Sequence, residues 1–100
     1  MIRGTTPKHV FSLPFDTGEI TALRVSYAQR GKLLFTKSEQ ECTLLEERVT
    51  LQLTQAETLR FAPFDPVQIQ VRVLHKDGRA FASRVLTATV EDCLLEEVLE

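Results

Sequence analysis

Alternation of apolar and polar residues is the strongest pattern in this chain. The clearest case is the segment VQIQVRV at 67–73, where every second residue is apolar. The same period runs through HVFSLPF at 9–15, ALRVSYAQ at 22–29 and VTLQLT at 49–54. A period of two is typical of strands with one face in the core and one in water, as in antiparallel sheets. The predicted core residues are Phe11, Leu13, Phe15, Leu23, Val25, Tyr27, Val49, Leu51, Leu53, Val67, Ile69, Val71 and Val73.

Two polar segments predict hairpin turns between these strands. Residues 29–32, Gln-Arg-Gly-Lys, separate LRVSYA from LLFTK, and Asp77-Gly78 separates VQIQVRVLHK from RAFASRVLTATV. Asp-Gly is a strong hairpin signal because both residues tolerate positive φ. With these turns, the pattern predicts strands at 8–15, 20–29, 32–38, 41–45, 47–54, 66–75 and 79–90.

The last predicted strand changes phase along its length. Phe81 and Val85 share one parity, whereas Leu86, Ala88 and Val90 share the other. A β-bulge near Arg84 or Val85 would bring both apolar sets to the core side. Seven short strands with frequent turns predict an all-β, immunoglobulin-like antiparallel β-sandwich.

One stretch, from Leu53 to Pro66, interrupts the alternation. Thr54 and Glu57 have the spacing of a capping box, which predicts one short helical turn. Leu59 and Phe61 can then close the open end of the core, and Pro63 and Pro66 stop the helix. We interpret the stretch as a corner that carries the chain from one sheet to the other. A solvated loop is the alternative.

Size and charge limit the classes of function. One hundred residues correspond to one domain, which we divide into a sandwich at 1–90 and a tail at 91–100. A net charge of −2 gives no electrostatic case for nucleic-acid binding. No apolar run reaches the length of a membrane span, and the N-terminus has no signal-peptide core. We therefore expect a cytoplasmic protein that binds neither nucleic acid nor membrane.

Candidate catalytic residues are few. His9 and His75 are the only histidines, and we expect both to be ordinary surface residues, with His75 exposed beside the Asp77-Gly78 turn. No serine lies in a G-x-S-x-G motif, and no glycine-rich phosphate loop is present. The pairs Glu46-Glu47 and Glu96-Glu97 are adjacent in sequence and point apart, unlike the carboxylates of a glycosidase. The prediction is a non-enzyme with no catalytic residue and no cofactor.

The cysteines and the outward arginines suggest no site of their own. Cys42 and Cys93 have no cysteine or histidine partner at ligand spacing, so we predict no metal site. We expect both thiols to be reduced, with a single disulfide as the alternative. Arg24, Arg72 and Arg84 fall on outward strand positions. They form either a basic stripe or the ordinary solvated face of a sheet.

The C-terminal segment EDCLLEEVLE is the most informative stretch for partners. Residues 91–100 hold five acidic residues and no basic one, which leaves a formal charge of +3 on the rest of the chain. The apolar residues Leu94, Leu95, Val98 and Leu99 have the spacing of one stripe on a helix. We predict a helical tail that contributes these four residues to partner binding. A helix packed on its own domain and a frayed terminus are the alternatives.

Four stretches of the chain carry a family resemblance. They are MIRGTTPKHVFSLPFDT, LRVSYAQRGKLLFTK, VTLQLTQAETLRF and VQIQVRVLHKDGRAFAS. Together they resemble a group of small proteins encoded in bacteriophages and prophages of Gram-positive bacteria. From Val49 to Val90, the LTQAET corner and the following hairpin also resemble the N-terminal β-sandwich domain of phage baseplate upper proteins. The chain lacks the long fibre-like extension of those proteins, so the resemblance does not extend to receptor binding.

The resemblance implies a structural or assembly role in a phage tail or baseplate. The implied partners are other phage structural proteins or further copies of this chain, and the implied location is the bacterial host cytoplasm or the virion. The alternative function is a small ligand- or carbohydrate-binding sandwich. That class uses exposed aromatic residues or an acidic calcium loop. Tyr27 is the only tyrosine and there is no tryptophan, which argues against it.

Overall fold

The computed structural model describes all 100 residues and consists mainly of two antiparallel β-sheets. The predicted all-β class is confirmed. One α-helix, α1 (Gln55–Leu59), and two 3₁₀ turns, Thr17–Glu19 and Glu39–Glu41, interrupt the strands. None of these helices has the length and apolar character needed to cross a membrane. The strands are β1 (Lys8–Ser12), β2 (Ile20–Gln29), β3 (Lys32–Ser38), β4 (Thr43–Leu45), β5 (Arg48–Gln52), β6 (Val67–His75), β7 (Ala80–Ala82) and β8 (Leu86–Ala88).

The order of the strands leaves the two sides of the molecule unlike each other. The first sheet has the order β1-β5-β4, and the second has the order β3-β2-β6, with β7 and β8 both paired to the far side of β6. On one side, the 3₁₀ turn Glu39–Glu41 connects the edge strands β3 and β4. On the opposite side, β1 and the β7–β8 pair are also edge strands, but no segment connects them directly.

Buried side chains from both sheets form one hydrophobic core. The predicted parity of β6 is confirmed, because the four residues predicted for the core, Val67, Ile69, Val71 and Val73, are buried whereas Arg72 between them is exposed. Strands β2 and β5 contribute their predicted apolar residues to the same core. The twelve buried residues are Leu23, Val25, Tyr27, Val49, Leu51, Leu53, Phe61, Val67, Ile69, Val71, Val73 and Val90. Phe11, Leu13 and Phe15 are half-buried and pack against them.

Both predicted hairpin turns are present. Between β2 and β3, Arg30 and Gly31 have φ angles of 53° and 74°, which is the positive pair that a type I′ turn requires. Between β6 and β7, only Gly78 adopts a positive φ, of 92°. The amide of His75 donates to the carbonyl of Arg79 at 2.8 Å and closes this second hairpin.

The predicted strand at 79–90 is divided into β7 and β8. Ala82 lies opposite Arg72 and Leu86 lies opposite Ile69, so four steps along this strand match three along β6. This extra residue is the irregularity that the phase change predicted. The placement of the side chains differs from the prediction, because Val85 and Leu86 are exposed and not part of the core. The hydrogen-bond ladder with β6 is interrupted between Ala82 and Leu86, and Val85 and Leu86 are exposed to solvent.

The stretch after β5 forms the predicted corner between the two sheets. The Thr54 hydroxyl accepts a hydrogen bond from the Glu57 amide at 3.1 Å, and the Glu57 carboxylate accepts one from the Thr54 amide at 2.8 Å. This capping box begins α1, and Phe61 beyond it is buried at the end of the core. Leu59 is only half-buried. The chain then enters β6 in the second sheet, so the corner interpretation is confirmed and the solvated loop is excluded.

Candidate interaction surface

The C-terminal tail, residues 91–100, is not a helix. Apart from an isolated parallel bridge between Ile2 and Glu91, it has no regular secondary structure. The predicted helical stripe is therefore wrong. The physical reason is length, because an isolated helix of about ten residues is marginal in water. The tail instead follows an irregular path and makes polar contacts with its own domain.

Arg3 holds the beginning of the tail. Its guanidinium is largely buried, forms ion pairs with Asp92 at 2.6 Å and with Glu96, and donates to the Leu59 carbonyl at 2.9 Å. Hydrogen bonds to Glu96 and then Asp92 raise the pKa of Arg3, and the bond from Arg3 lowers the pKa of Asp92. No pattern in the sequence indicated this role, because Arg3 lies outside every alternating segment.

Two further sets of contacts hold the tail in place. The side-chain amide of Gln55, at the start of α1, donates to the Leu99 carbonyl at 3.1 Å and accepts from the Leu99 amide at 2.7 Å. The Arg3 amide donates to the Glu91 carbonyl at 3.0 Å, and the Glu91 amide donates to the Met1 carbonyl at 2.8 Å. The tail is thus held through polar groups at both ends, while its apolar side chains take no part.

The four apolar residues predicted for partner binding all lie exposed. Leu94 is fully exposed, and Leu95 and Leu99 keep about two thirds of their surface, at 61% and 66%. Val98 is 43% exposed and lies beside α1. Isolated exposed apolar residues are normal, but four within six residues form a cluster of the kind that marks an interaction site. We call Leu94, Leu95, Val98 and Leu99 the apolar tail cluster.

Phe64 is an exposed aromatic residue that the sequence analysis did not single out. It is 79% exposed and has a φ of 66°, a left-handed backbone that bulky residues rarely adopt. Its amide donates to the Val90 carbonyl at 2.8 Å, which places it at the same end of the molecule as the tail. The signal in the sequence was its position between Pro63 and Pro66.

An apolar cleft of about 350 Å³ opens on the side where the two sheets have free edges. Its walls come from β1 and the residues after it, from the middle of β6, and from β7 with the start of β8. Phe11, Phe81 and Leu86 are its largest apolar side chains, and Ser12 and Ser83 are its polar ones. No residue of the tail lines it. We call this opening the edge cleft.

Two basic residues without ion pairs are neighbours of residues that line the edge cleft. Arg48 lies opposite Ser12 in the β1–β5 ladder, and Arg84 follows Ser83 directly. Neither has a carboxylate within 4.0 Å. Arg24 and Arg72 lie directly opposite each other on the exposed face of the second sheet, where Glu39 pairs with Arg24 at 2.6 Å. Arg24 and Arg72 are therefore neighbours on this face, whereas Arg84 lies in the break between β7 and β8.

The two histidines are less exposed than predicted. His75 is mostly buried and not exposed, because its ring packs edge-on against Phe15 and its nitrogens lie 3.2 Å from Glu19 and 3.1 Å from Asp77. His9 stacks on Tyr27, and its Nδ1 lies 2.7 Å from the Tyr27 hydroxyl. Burial lowers the pKa of His9 and raises that of Tyr27. Both histidines thus pack against aromatic side chains of the fold.

A buried cation in β3 was also missed. Lys37 occupies an inward position of this edge strand, with Glu57 and Glu41 (the latter at 3.4 Å) as its ion-pair partners. Burial acts to lower the pKa of Lys37, but the bonds to Glu57 and Glu41 outweigh it and raise the pKa above its usual value. Lys37 lies between the polar residues Thr36 and Ser38, so nothing in the local pattern marks it as an inward position.

The remaining candidates do not come together. Cys42 and Cys93 are both free thiols. Cys42 lies against the Ser38 carbonyl, whereas Cys93 lies near Leu59 in the tail region. No group of three or more histidine, cysteine or acidic side chains has the arrangement of a metal site. Glu46 and Glu47 are both exposed in the turn between β4 and β5.

Comparisons with known proteins add no relative. No family model, no curated protein and no solved structure matches this chain.

Proposed function

We propose that this chain is a non-enzymatic structural or assembly protein of a bacteriophage or prophage, of the tail or baseplate type. In this proposal it acts through protein–protein contacts, in the cytoplasm of the bacterial host and in the assembled particle. The proposed architecture is an immunoglobulin-like sandwich. The resemblance of four sequence stretches supports the phage context, and the two antiparallel sheets around one core support the architecture.

The observation that carries this proposal is the exposure of the apolar tail cluster. Polar contacts hold the tail so that Leu94 is fully exposed and Leu95 and Leu99 keep most of their surface in water. Each buried leucine side chain contributes about 1.5–3 kcal/mol when it leaves water. A partner that covers these side chains would gain that free energy, and the tail would lose little additional conformational entropy because Arg3 and Gln55 already hold it.

The contacts of His75, His9 and Lys37 support a structural role for these three side chains. His75 lies beside Glu19 and Asp77, His9 beside Tyr27, and Lys37 beside Glu57. The first group closes the end of a hairpin, the second lies within the core, and the third joins β3 to α1. Each group therefore holds one element of the fold against another.

The test of this proposal is the particle itself. The gene is deleted in frame in the host that carries it, and particles are induced, purified and analysed by mass spectrometry and electron microscopy. We expect the chain in particles or in their assembly intermediates, and defective tails in the deletion strain. Complementation with the double variant Leu94→Glu/Leu95→Glu should fail, whereas Leu33→Glu, an equally exposed leucine on β3, should restore assembly. Normal particles from the deletion strain would overturn the proposal.

The edge cleft favours one second candidate function, a small ligand- or carbohydrate-binding module. A cleft of about 350 Å³ lies at the lower end of the range for small-molecule sites. Its lining supplies few polar groups, so an apolar ligand fits better than a sugar. Titration with an apolar fluorescent dye and with a carbohydrate panel tests this function. Saturable binding that Leu86→Glu abolishes would favour it over the assembly role.

A further inference from the structure

We infer that the edge cleft of one copy receives the apolar tail cluster of a second copy, so that copies of this chain join head to tail. The inference rests on the proposed function, because it takes the tail as a surface for protein contacts, and it names the partner. The two surfaces lie on the same chain but at different places: the tail beside α1, and the cleft between β1 and β7–β8.

The apolar chemistry of the two surfaces matches. Phe11, Val71, Val73 and Phe81 line a cleft that nothing in its own chain fills. The tail presents one fully exposed leucine, Leu94, and two that are mostly exposed, Leu95 and Leu99. Both walls of the cleft also end in unpaired strand edges, at β1 and at β7–β8. An extended segment seated there can add backbone hydrogen bonds to an edge, as in β-strand addition.

Charge favours the same pairing. Glu97 and Glu100 of the tail have no ion pair, whereas Asp92 and Glu96 are bound to Arg3. On the cleft side, the unpaired cations Arg48 and Arg84 each adjoin a lining residue, Ser12 and Ser83 respectively. An acidic segment that brings leucines into an apolar cleft therefore meets opposite charge at the rim. This steers the encounter and makes it sensitive to salt.

The contacts that hold the tail within its own molecule favour binding of its leucines to a second molecule. Gln55 holds the backbone of Leu99 against α1, and Arg3 holds Asp92 and Glu96 beside the N-terminal segment. The lining of the edge cleft includes no tail residue. Filling the cleft within one molecule would break all of these contacts. Filling it between molecules leaves them in place, because the leucine side chains already face outward.

This geometry has a consequence for the type of assembly. The interface joins two different surfaces, so each bound pair retains one free cleft and one free tail. Such head-to-tail interfaces produce rings when the rotation between copies closes, and open filaments when it does not. A closed two-fold dimer is not expected from this contact.

The test is a complementation experiment with two single-surface variants, measured by sedimentation velocity. The tail variant is Leu94→Glu/Leu95→Glu. The cleft variant is Leu86→Glu, at a lining residue that is 45% exposed and so tolerates the change. We expect the intact chain to form species larger than a dimer, and each variant alone to be a monomer. Because a mixture retains one intact cleft and one intact tail, it should form a 1:1 heterodimer.

Controls separate this inference from loss of folding and from the proposed function. Leu33→Glu should assemble like the intact chain, and circular dichroism should show that all variants are folded. An intact chain that is monomeric at its highest soluble concentration, or a mixture of the two variants that stays monomeric, would overturn the inference. If the tail variant also abolishes particle assembly in the host while self-association is absent, the proposed function stands and the partner is a different protein.

Discussion

The guanidinium of Arg3 lies 2.6 Å from the carboxylate of Asp92, and this ion pair joins residues 89 positions apart. Arg3 is thus the main side-chain contact between the N-terminal segment and the tail.

In the variant Arg3→Gln, we expect the tail to detach while the sheets stay intact. The backbone amides of residue 3 and of Glu91 donate hydrogen bonds between the N-terminal segment and the tail. In the variant, hydrogen exchange at both amides should become faster. Lys32→Gln, at an exposed position of β3, is the control. Unchanged exchange at Glu91 would contradict this role.

Val71 provides a test of the core and of strand parity. Val71→Asp places an unpaired charge among buried residues of β6, which should cost several kcal/mol out of a total stability of about 5–15 kcal/mol. Arg72→Asp introduces the same residue one position along, on the exposed face, and should change stability by no more than about 1 kcal/mol. Urea unfolding followed by circular dichroism measures both. Similar midpoints for the two variants would refute the assigned faces.

Thr54 tests the start of α1. Removal of its hydroxyl in Thr54→Ala loses the bond from the Glu57 amide and should lower the free energy of unfolding by about 1 kcal/mol. Thr54→Ser keeps a hydroxyl at the cap and should retain most of the stability. The comparison needs only equilibrium unfolding of three proteins. Equal stability of the alanine and serine variants would show that the cap contributes nothing.

Phe61 tests whether the corner closes the core. Phe61→Ala should cost roughly 3–5 kcal/mol, because it leaves a cavity beside Tyr27 and Phe35, whose rings lie 6.3 and 5.7 Å from the Phe61 ring. Phe64→Ala removes the same side chain three residues later, where it is exposed, and should have little effect on stability. Thermal unfolding of both variants makes the comparison. A larger loss at Phe64 than at Phe61 would reverse the assignment.

His9 should make stability depend on pH. Burial lowers its pKa in the folded state below the ordinary value of 6.5, so the unfolded chain binds the proton more readily. The contribution of neutral His9 to the free energy of unfolding is therefore complete above the ordinary pKa of 6.5. This contribution is lost as the pH falls below that value towards the folded-state pKa. In His9→Gln, the decrease in the free energy of unfolding between about pH 7 and pH 5 should be smaller than in the parent. Equal slopes would show that His9 titrates alike in both states.

Local patterns predicted most of the fold because each reports a local physical constraint. Alternation identified β2, β5 and β6 with their buried faces. In a strand that covers a core, a shift of one residue would move every apolar side chain to the solvent face. The Gly31 and Gly78 turns and the Thr54–Glu57 cap were predicted because their bonds join neighbours in sequence. The position of the corner between the two sheets followed from these elements.

The contacts that the sequence did not predict join residues far apart in the chain. Leucine spacing predicted a helical tail, but Arg3 and Gln55 hold that segment in an irregular conformation. His75 was predicted to be exposed from its place beside a turn, and Phe15 from another segment covers it. The edge cleft depends on how β1 and β7 are placed across two sheets. No periodicity within one segment carries that information.

The inward position of Lys37 has a consequence for how copies of this chain can meet. A charged side chain that points into the structure from an edge strand makes that edge a poor template for another strand. Strand β3 carries this charge, and its neighbour at that side, β4, is only three residues long. The opposite side shares the short strands, because β7 and β8 also have three residues each, but its longer strand β1 carries no buried charge. The two sides therefore differ as templates for another strand: the charge of Lys37 opposes pairing at β3, and nothing equivalent opposes it at β1.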